Sequence, residues 1–160
     1  MRMLAKVRRL GWAERGLLLE AAFWLGLARL GLLAVPFRRI APLLGIHMAQ
    51  AAEAVTQQAQ TQAQRVGWAV SAIARRTPWE SACLAQAMSA KAMLRRRGVA
   101  STLYLGLARD EEKALKAHAW LRCGRDVITG GEISGYTIIS SFAEEHGAGM
   151  PPAVENAHVP

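Results

Sequence analysis

Cys83 and His118 are the side chains of this 160-residue chain whose types suit nucleophilic catalysis, one a thiol and the other an imidazole base. A thiol near a helix N-terminus meets unpaired N–H groups and the positive end of the helix dipole, which favour the thiolate; the same N–H groups can stabilise an oxyanion. Taken singly, each has a plainer reading, as a buried structural cysteine and a satisfied strand histidine. Cys123 alternates with His118 along one apolar stretch, so it points to the opposite face and reads as structural. The chain has no Gly-rich phosphate loop, no paired-Cys zinc spacing and no His-Glu-x-x-His, so neither a metal nor another cofactor is expected.

A carboxylate would orient the imidazole, and Asp110, Glu111, Glu112, Asp126 and Glu132 lie near His118 in sequence. If Gly124-Arg125-Asp126 form a three-residue hairpin loop, Cys123 pairs with Val127 and His118 falls opposite Glu132. Directly opposed Cβ atoms lie about 4.5–5.5 Å apart, within side-chain hydrogen-bond reach. Asp126 would sit at the hairpin tip, roughly 20 Å away at ~3.3 Å per residue. A two-residue loop would shift the register by one and turn Glu132 to the other face. Glu132 is the expected orienter on the first register, and Asp126 stays open if the hairpin is irregular.

These residues need elements to hold them. Gly16–Pro36 is about as long as a membrane span but contains Glu20 and Arg29, nine residues apart and so on opposite sides of a helix. It is expected as a helix largely covered by the rest of the protein. Peripheral membrane contact through it and Arg8, Arg9, Arg38 and Arg39 is the alternative. From about His47 to Arg76 the Ala/Gln-rich chain reads as one helix or two, with Gly67 as a candidate interruption. The Gln/Ala run 57–64 reads as a solvated face. Thr77-Pro78-Trp79-Glu80 has the form of a capping box, so the following helix starts either there or near Ser81, and stops at Gly98. Beyond Gly98 the period changes to two: Leu103, Leu105 and Leu107, then Ala117–Cys123, Val127–Glu132 and Tyr136–Phe142 read as antiparallel strands. The fold class is therefore α+β, N-terminal helices followed by an antiparallel sheet.

Composition agrees with one small globular domain: 52% of residues are apolar and 20% charged, and two cysteines exclude a disulfide-rich scaffold. The net charge of +8 is uneven. Residues 1–97 carry 15 basic against 4 acidic side chains, and residues 98–160 carry 5 against 8. A basic front half suits nucleic acid, anionic lipid or an acidic peptide, or is simply solvated.

The order Arg76-Thr-Pro-Trp79, Cys83-Leu-Ala-Gln86, Leu94-Arg-Arg-Arg-Gly98, Leu103-Tyr-Leu-Gly106, Ala117-His-Ala-Trp-Leu121 and Thr129-Gly-Gly131 resembles the transglutaminase-like leader peptidases of lasso-peptide biosynthesis, the B-proteins. Glu14–Glu20, Leu27–Leu30 and Pro36–Arg39 resemble the same family's helical lead-in. The resemblance implies a papain/transglutaminase-like core over residues 46–142 and a helical lead-in over 1–45 packed on it; the tail over 143–160, with prolines, glycines and no apolar period, reads as mobile. It implies Cys83 as nucleophile, His118 as base and then acid, and Glu132 where the family usually has Asp.

Gln86, one turn after Cys83 on its face, suits substrate backbone or a core-edge amide. Trp79 and Trp120 flank the site as packing or as substrate contacts. The implied activity is removal of the leader from a ribosomally made precursor, which frees the core N-terminus for an ATP-dependent, asparagine-synthetase-like cyclase. The segment before the core reads as helices, so the resemblance is to the split form, which needs a separate small leader-recognition protein. The expected setting is the cytoplasm, with or without membrane association, and no nucleic acid partner. Two other readings are an acyltransferase that uses an amine in place of water and a non-catalytic basic helical binding module.

Overall fold

In the computed structural model, which describes residues 11–77, 82–109 and 114–144, helices precede an antiparallel sheet. Helix α1 spans Trp12–Ala34, and Glu14 Oε2 accepts from Gly11 N (3.1 Å) at its start. Pro36 ends it, since a proline restricts the preceding residue to extended backbone; Val35 is extended. A short turn of helix, α2 (Phe37–Ile40), and a 3-10 turn over Ala41–Leu44 lead to β1 (Ile46–His47).

Helix α3 covers Gln57–Ala74, and the Thr56 hydroxyl caps it by accepting from Ala59 N (3.2 Å). It is shorter than the His47–Arg76 stretch read as helical, because His47 joins the sheet. Gly67 does not interrupt it. A Cβ there would stand 2.5 Å from the carbonyl oxygen of Ile128, so glycine lets the sheet approach the helix. Helix α4 spans Cys83–Arg95. Gly98 (φ +66°) and a bond from Val99 N to Leu94 O (3.0 Å) close its end.

Strands β2 (Thr102–Arg109), β3 (Leu115–Cys123), β4 (Asp126–Thr129) and β5 (Thr137–Ala143) complete a five-stranded antiparallel sheet in the order β1-β5-β2-β3-β4. The α+β reading holds. Alternation along the strands sends Leu103, Ala119, Leu121, Cys123 and Phe142 into one core with Val66, Val70, Met93, Leu94 and, from α1, Leu17, Ala21 and Leu25. Small residues on α4 (Ala87, Ala90) bring it close to the sheet and the other helices.

Two charged clusters tie the helices down. Arg97 binds both oxygens of Glu20 (3.0 and 2.6 Å), joining the end of α4 to α1. Lys91, 3% exposed, reaches Glu144 (2.8 Å) and the carbonyl of Ser101 (2.9 Å), joining α4 to the sheet.

Helix α1 departs from the expectation of a largely covered helix. Leu17, Ala21, Leu25 and Ala28 are its buried residues, while Leu19, Phe23, Leu30 and Leu33 are exposed. It is long and apolar enough to cross a membrane by length and composition.

Candidate active site

Cys83 is the first residue of α4. Thr77 does not cap this helix: its hydroxyl donates back to Ala74 O (3.0 Å) and finishes α3. Pro78, Trp79, Glu80 and Ser81 lie outside the described residues, so Trp79 as a substrate contact cannot be placed. The residue before Cys83 is Ala82, whose methyl group cannot accept a hydrogen bond, and the first intrahelical bond is Gln86 N to Ala82 O (3.2 Å). The amides of the first turn at Cys83 therefore have no capping side chain from the N-cap position. Cys83 is half-buried. Gln86 is half-buried one turn on.

His118 occupies β3 opposite Gly106 of β2. Its Nε2 lies 2.7 Å from the carbonyl oxygen of Gly130. A carbonyl oxygen only accepts, so Nε2 carries the proton and the neutral ring keeps its lone pair on Nδ1. The ring is held further by Trp120 (centroids 6.0 Å, stacked) and Tyr136 (4.9 Å). Trp120 in turn stacks on Tyr104 (5.6 Å). Trp120 is 2% exposed, so it supports the imidazole from within the fold and offers no surface to a peptide.

Two glycines make this arrangement possible. A Cβ on Gly106 would stand 2.7 Å from the six-membered ring of Trp120, and one on Gly130 (φ +108°) 2.4 Å from the Cβ of Trp120. Sequence reasoning identified neither as a site residue, although both stand in the quoted motifs. The usable signal was glycine inside a strand and glycine just after one.

The hairpin corrects the expected carboxylate. Its loop has two residues, Gly124 and Arg125, and Cys123 pairs with Asp126, not with Val127. An irregularity between Leu121 and Arg122 then restores the predicted register, so that Leu121 faces Thr129. Three more regular pairs would have brought Glu132 opposite His118. Instead β4 ends at Thr129, and Gly130 and Gly131 (φ +63°) turn the chain away.

Glu132 is exposed and accepts from Ser134 N (2.9 Å); bonds to Ser134 hold its carboxyl below the ordinary value. Asp126 accepts from Gln60 Nε2 (2.6 Å) and Gln64 Nε2 (3.2 Å), which likewise lower it. The Gln/Ala run thus clamps the hairpin to α3 as well as facing solvent. The group that orients His118 here is a backbone carbonyl. Asp110, Glu111 and Glu112 lie outside the described residues.

Cys83 opens α4 on the helix side of the sheet, whereas His118 lies on β3, where alternation with Ala119 and Leu121 turns it to the face away from the helices. Lys91 fastens the second half of α4 beside Ser101, just before β2. Roughly 12 Å back along the helix lies Cys83, and roughly 17 Å along β2 lies Gly106, the partner of His118. Among the described residues no hydrogen bond joins Cys83 Sγ to His118. Cys123, by contrast, is buried in the core, where burial and the nearby Asp126 raise its thiol above the ordinary value. Among the described residues no group of three potential metal ligands gathers.

The family model of the transglutaminase-like superfamily matches residues 31–141, from the last turn of α1 into β5, across both Cys83 and His118. The chain belongs to the transglutaminase-like superfamily. Proteins of this superfamily are typically enzymes, either cysteine peptidases or acyltransferases, and a Cys-His pair is the machinery both need. No curated protein and no solved structure is significantly similar to the chain.

Proposed function

We propose that this transglutaminase-like protein is a cysteine peptidase that removes the leader from a ribosomally made lasso-peptide precursor. The observation that carries the chemical part is the His118–Gly130 bond. It commits Nε2 as donor and leaves the lone pair of Nδ1 available as a base. The lasso assignment is supported by the ordered resemblance of residues 10–142 to the B-proteins.

In this reading His118 Nδ1 takes the Cys83 proton, and the sulfur attacks the carbonyl carbon of the scissile bond. The oxygen becomes an oxyanion that the first-turn amides of α4 stabilise. The C–N bond then breaks as Nδ1 returns the proton to the leaving amine, which is the N-terminus of the core peptide. Water, deprotonated by the same nitrogen, hydrolyses the thioester and releases the leader with a free carboxylate. The freed amine is what an ATP-dependent, asparagine-synthetase-like cyclase would join into a macrolactam. A separate small leader-recognition protein would deliver the precursor.

The test is incubation of a candidate precursor with the chain, with and without the recognition protein, read by mass spectrometry. Cleavage should require the recognition protein, give a leader bearing a free carboxylate, and be lost in Cys83→Ala and His118→Ala. Joining of the leader to an amine would establish acyl transfer instead. Efficient processing by the chain alone would refute the need for a recognition partner.

A further inference from the structure

Helix α1 is apolar on the side that faces away from the core. At about 100° per residue, Trp12, Leu19, Phe23, Leu27, Leu30 and Leu33 form one stripe, opposite the buried stripe of Leu17, Ala21, Leu25 and Ala28. Trp12 is 86% exposed, Leu19 73% and Leu33 68%. Over 23 residues the stripe extends roughly 35 Å. Leu27 also lines a cavity of about 750 Å³ with Trp24, Val35, Leu43 and Met88, and Arg39 and Arg95 stand among its lining residues. Scattered exposed leucines are ordinary, but a continuous stripe with an apolar hollow beside it is a surface that something covers.

The charges around the stripe say what. Residues 1–45 carry eight basic side chains and two acidic ones. Arg38 and Arg39 follow the helix and are exposed, and Arg2, Lys6, Arg8 and Arg9 precede it in sequence. Of the two carboxylates, Glu20 is already committed to Arg97, which with Arg96 holds it below the ordinary value against the opposing effect of partial burial. A second copy packed on this stripe would set cations against cations at both ends. Anionic lipid headgroups would neutralise both ends while the acyl region takes the leucines and Phe23. Trp12, with the Arg15 guanidinium 5.1 Å over its ring, has the amphipathic character of a residue at the headgroup boundary.

We propose that α1 is a monotopic anchor: it lies in the surface of an anionic bilayer, apolar stripe inward, with the catalytic domain on the aqueous side. The helix lies in the plane and does not span, because its opposite face is packed on α3 and α4 and Glu20 is bound to Arg97. Spanning would break that ion pair and expose the core contacts of Leu17, Ala21 and Leu25.

The experiment is flotation of the full chain with phosphatidylcholine vesicles and with vesicles containing phosphatidylglycerol. The expected result is at least tenfold stronger partition to the anionic vesicles, weakened by raised salt. Arg38→Glu/Arg39→Glu should lower it about tenfold or more, and Leu19→Glu/Phe23→Glu/Leu30→Glu should abolish it. Far-UV circular dichroism establishes that the triple variant folds; the Arg pair touches no packed face and serves if it does not. Trp12→Phe should remove most of the vesicle-induced blue shift in emission. The proposal is overturned if the wild type floats with neither vesicle, or if it partitions equally to both whatever happens to Arg38 and Arg39. It is also overturned if the chain stays in solution as a dimer that the Glu substitutions dissolve.

Discussion

Two apolar faces of this molecule are built alike and finished differently. The sheet presents Tyr104, Trp120 and His118 on the side away from the helices, and the chain's own Gly130 and Tyr136 close over them. The outer side of α1 presents a comparable run of large apolar side chains, and nothing among the described residues closes over it. The difference teaches where function resides in each. A face closed by its own chain fixes an imidazole in one tautomer; a face left open is a surface for something outside the molecule.

The comparison is broken most strongly at Gly130. Gly130→Ala places a Cβ against Trp120 at a positive φ, so the turn must shift and the carbonyl with it. We expect a stability loss of about 2 kcal/mol and a fall in precursor cleavage of about a hundredfold, because the tautomer is no longer held. Steady-state kinetics and chemical denaturation check both. A variant that folds and cleaves normally would remove the backbone carbonyl from the account.

Next comes the buried ion pair of Lys91 and Glu144. Lys91→Met leaves the carboxylate of Glu144 without its main partner, for a cost on the order of 3 kcal/mol in urea denaturation. Smaller is the Glu20–Arg97 pair under α1. Its folded-state carboxyl titrates below the unfolded one, so its stabilisation is complete above the ordinary carboxylate value and is lost as pH falls through the folded one. Acidification from about pH 5 to 3 should therefore cost the wild type about 1 kcal/mol more than Glu20→Gln.

The smallest effects are expected on the open face and at the bypassed carboxylate. Leu19→Glu and Phe23→Glu should each change stability in solution by within about 0.5 kcal/mol, in contrast to Leu25→Ala on the packed side of the same helix, at about 3 kcal/mol. Glu132→Gln should leave cleavage within about twofold, since Glu132 is bound to Ser134 in place of His118.

The legibility of the sequence follows the same division. The change of period after Gly98 carried the sheet, and the order of helices and strands carried the α+β class, because burial of one face imprints its period on the residues. Cys83 and His118 were singled out by residue type together with order, and the family match spans both. The orienter was not: the predicted register is recovered at Leu121–Thr129, but two glycines end the strand before Glu132, and a partner supplied by the backbone leaves no side-chain signature. The openness of α1 was equally hidden, since an apolar helix has the same sequence whether the rest of the fold covers it or not. The clamp of Asp126 by Gln60 and Gln64 lay in a run whose composition resembled a solvated face.

The central claim is that His118 serves the thiol of Cys83, and it can be tested without knowing the precursor. The rate of iodoacetamide alkylation at Cys83 near neutral pH, followed by intact mass, is compared between wild type and His118→Ala, with buried Cys123 as an internal control. The account predicts rapid single labelling at Cys83 and a fall of at least about tenfold in the variant. Equal rates in the two proteins, with both folded, would contradict it.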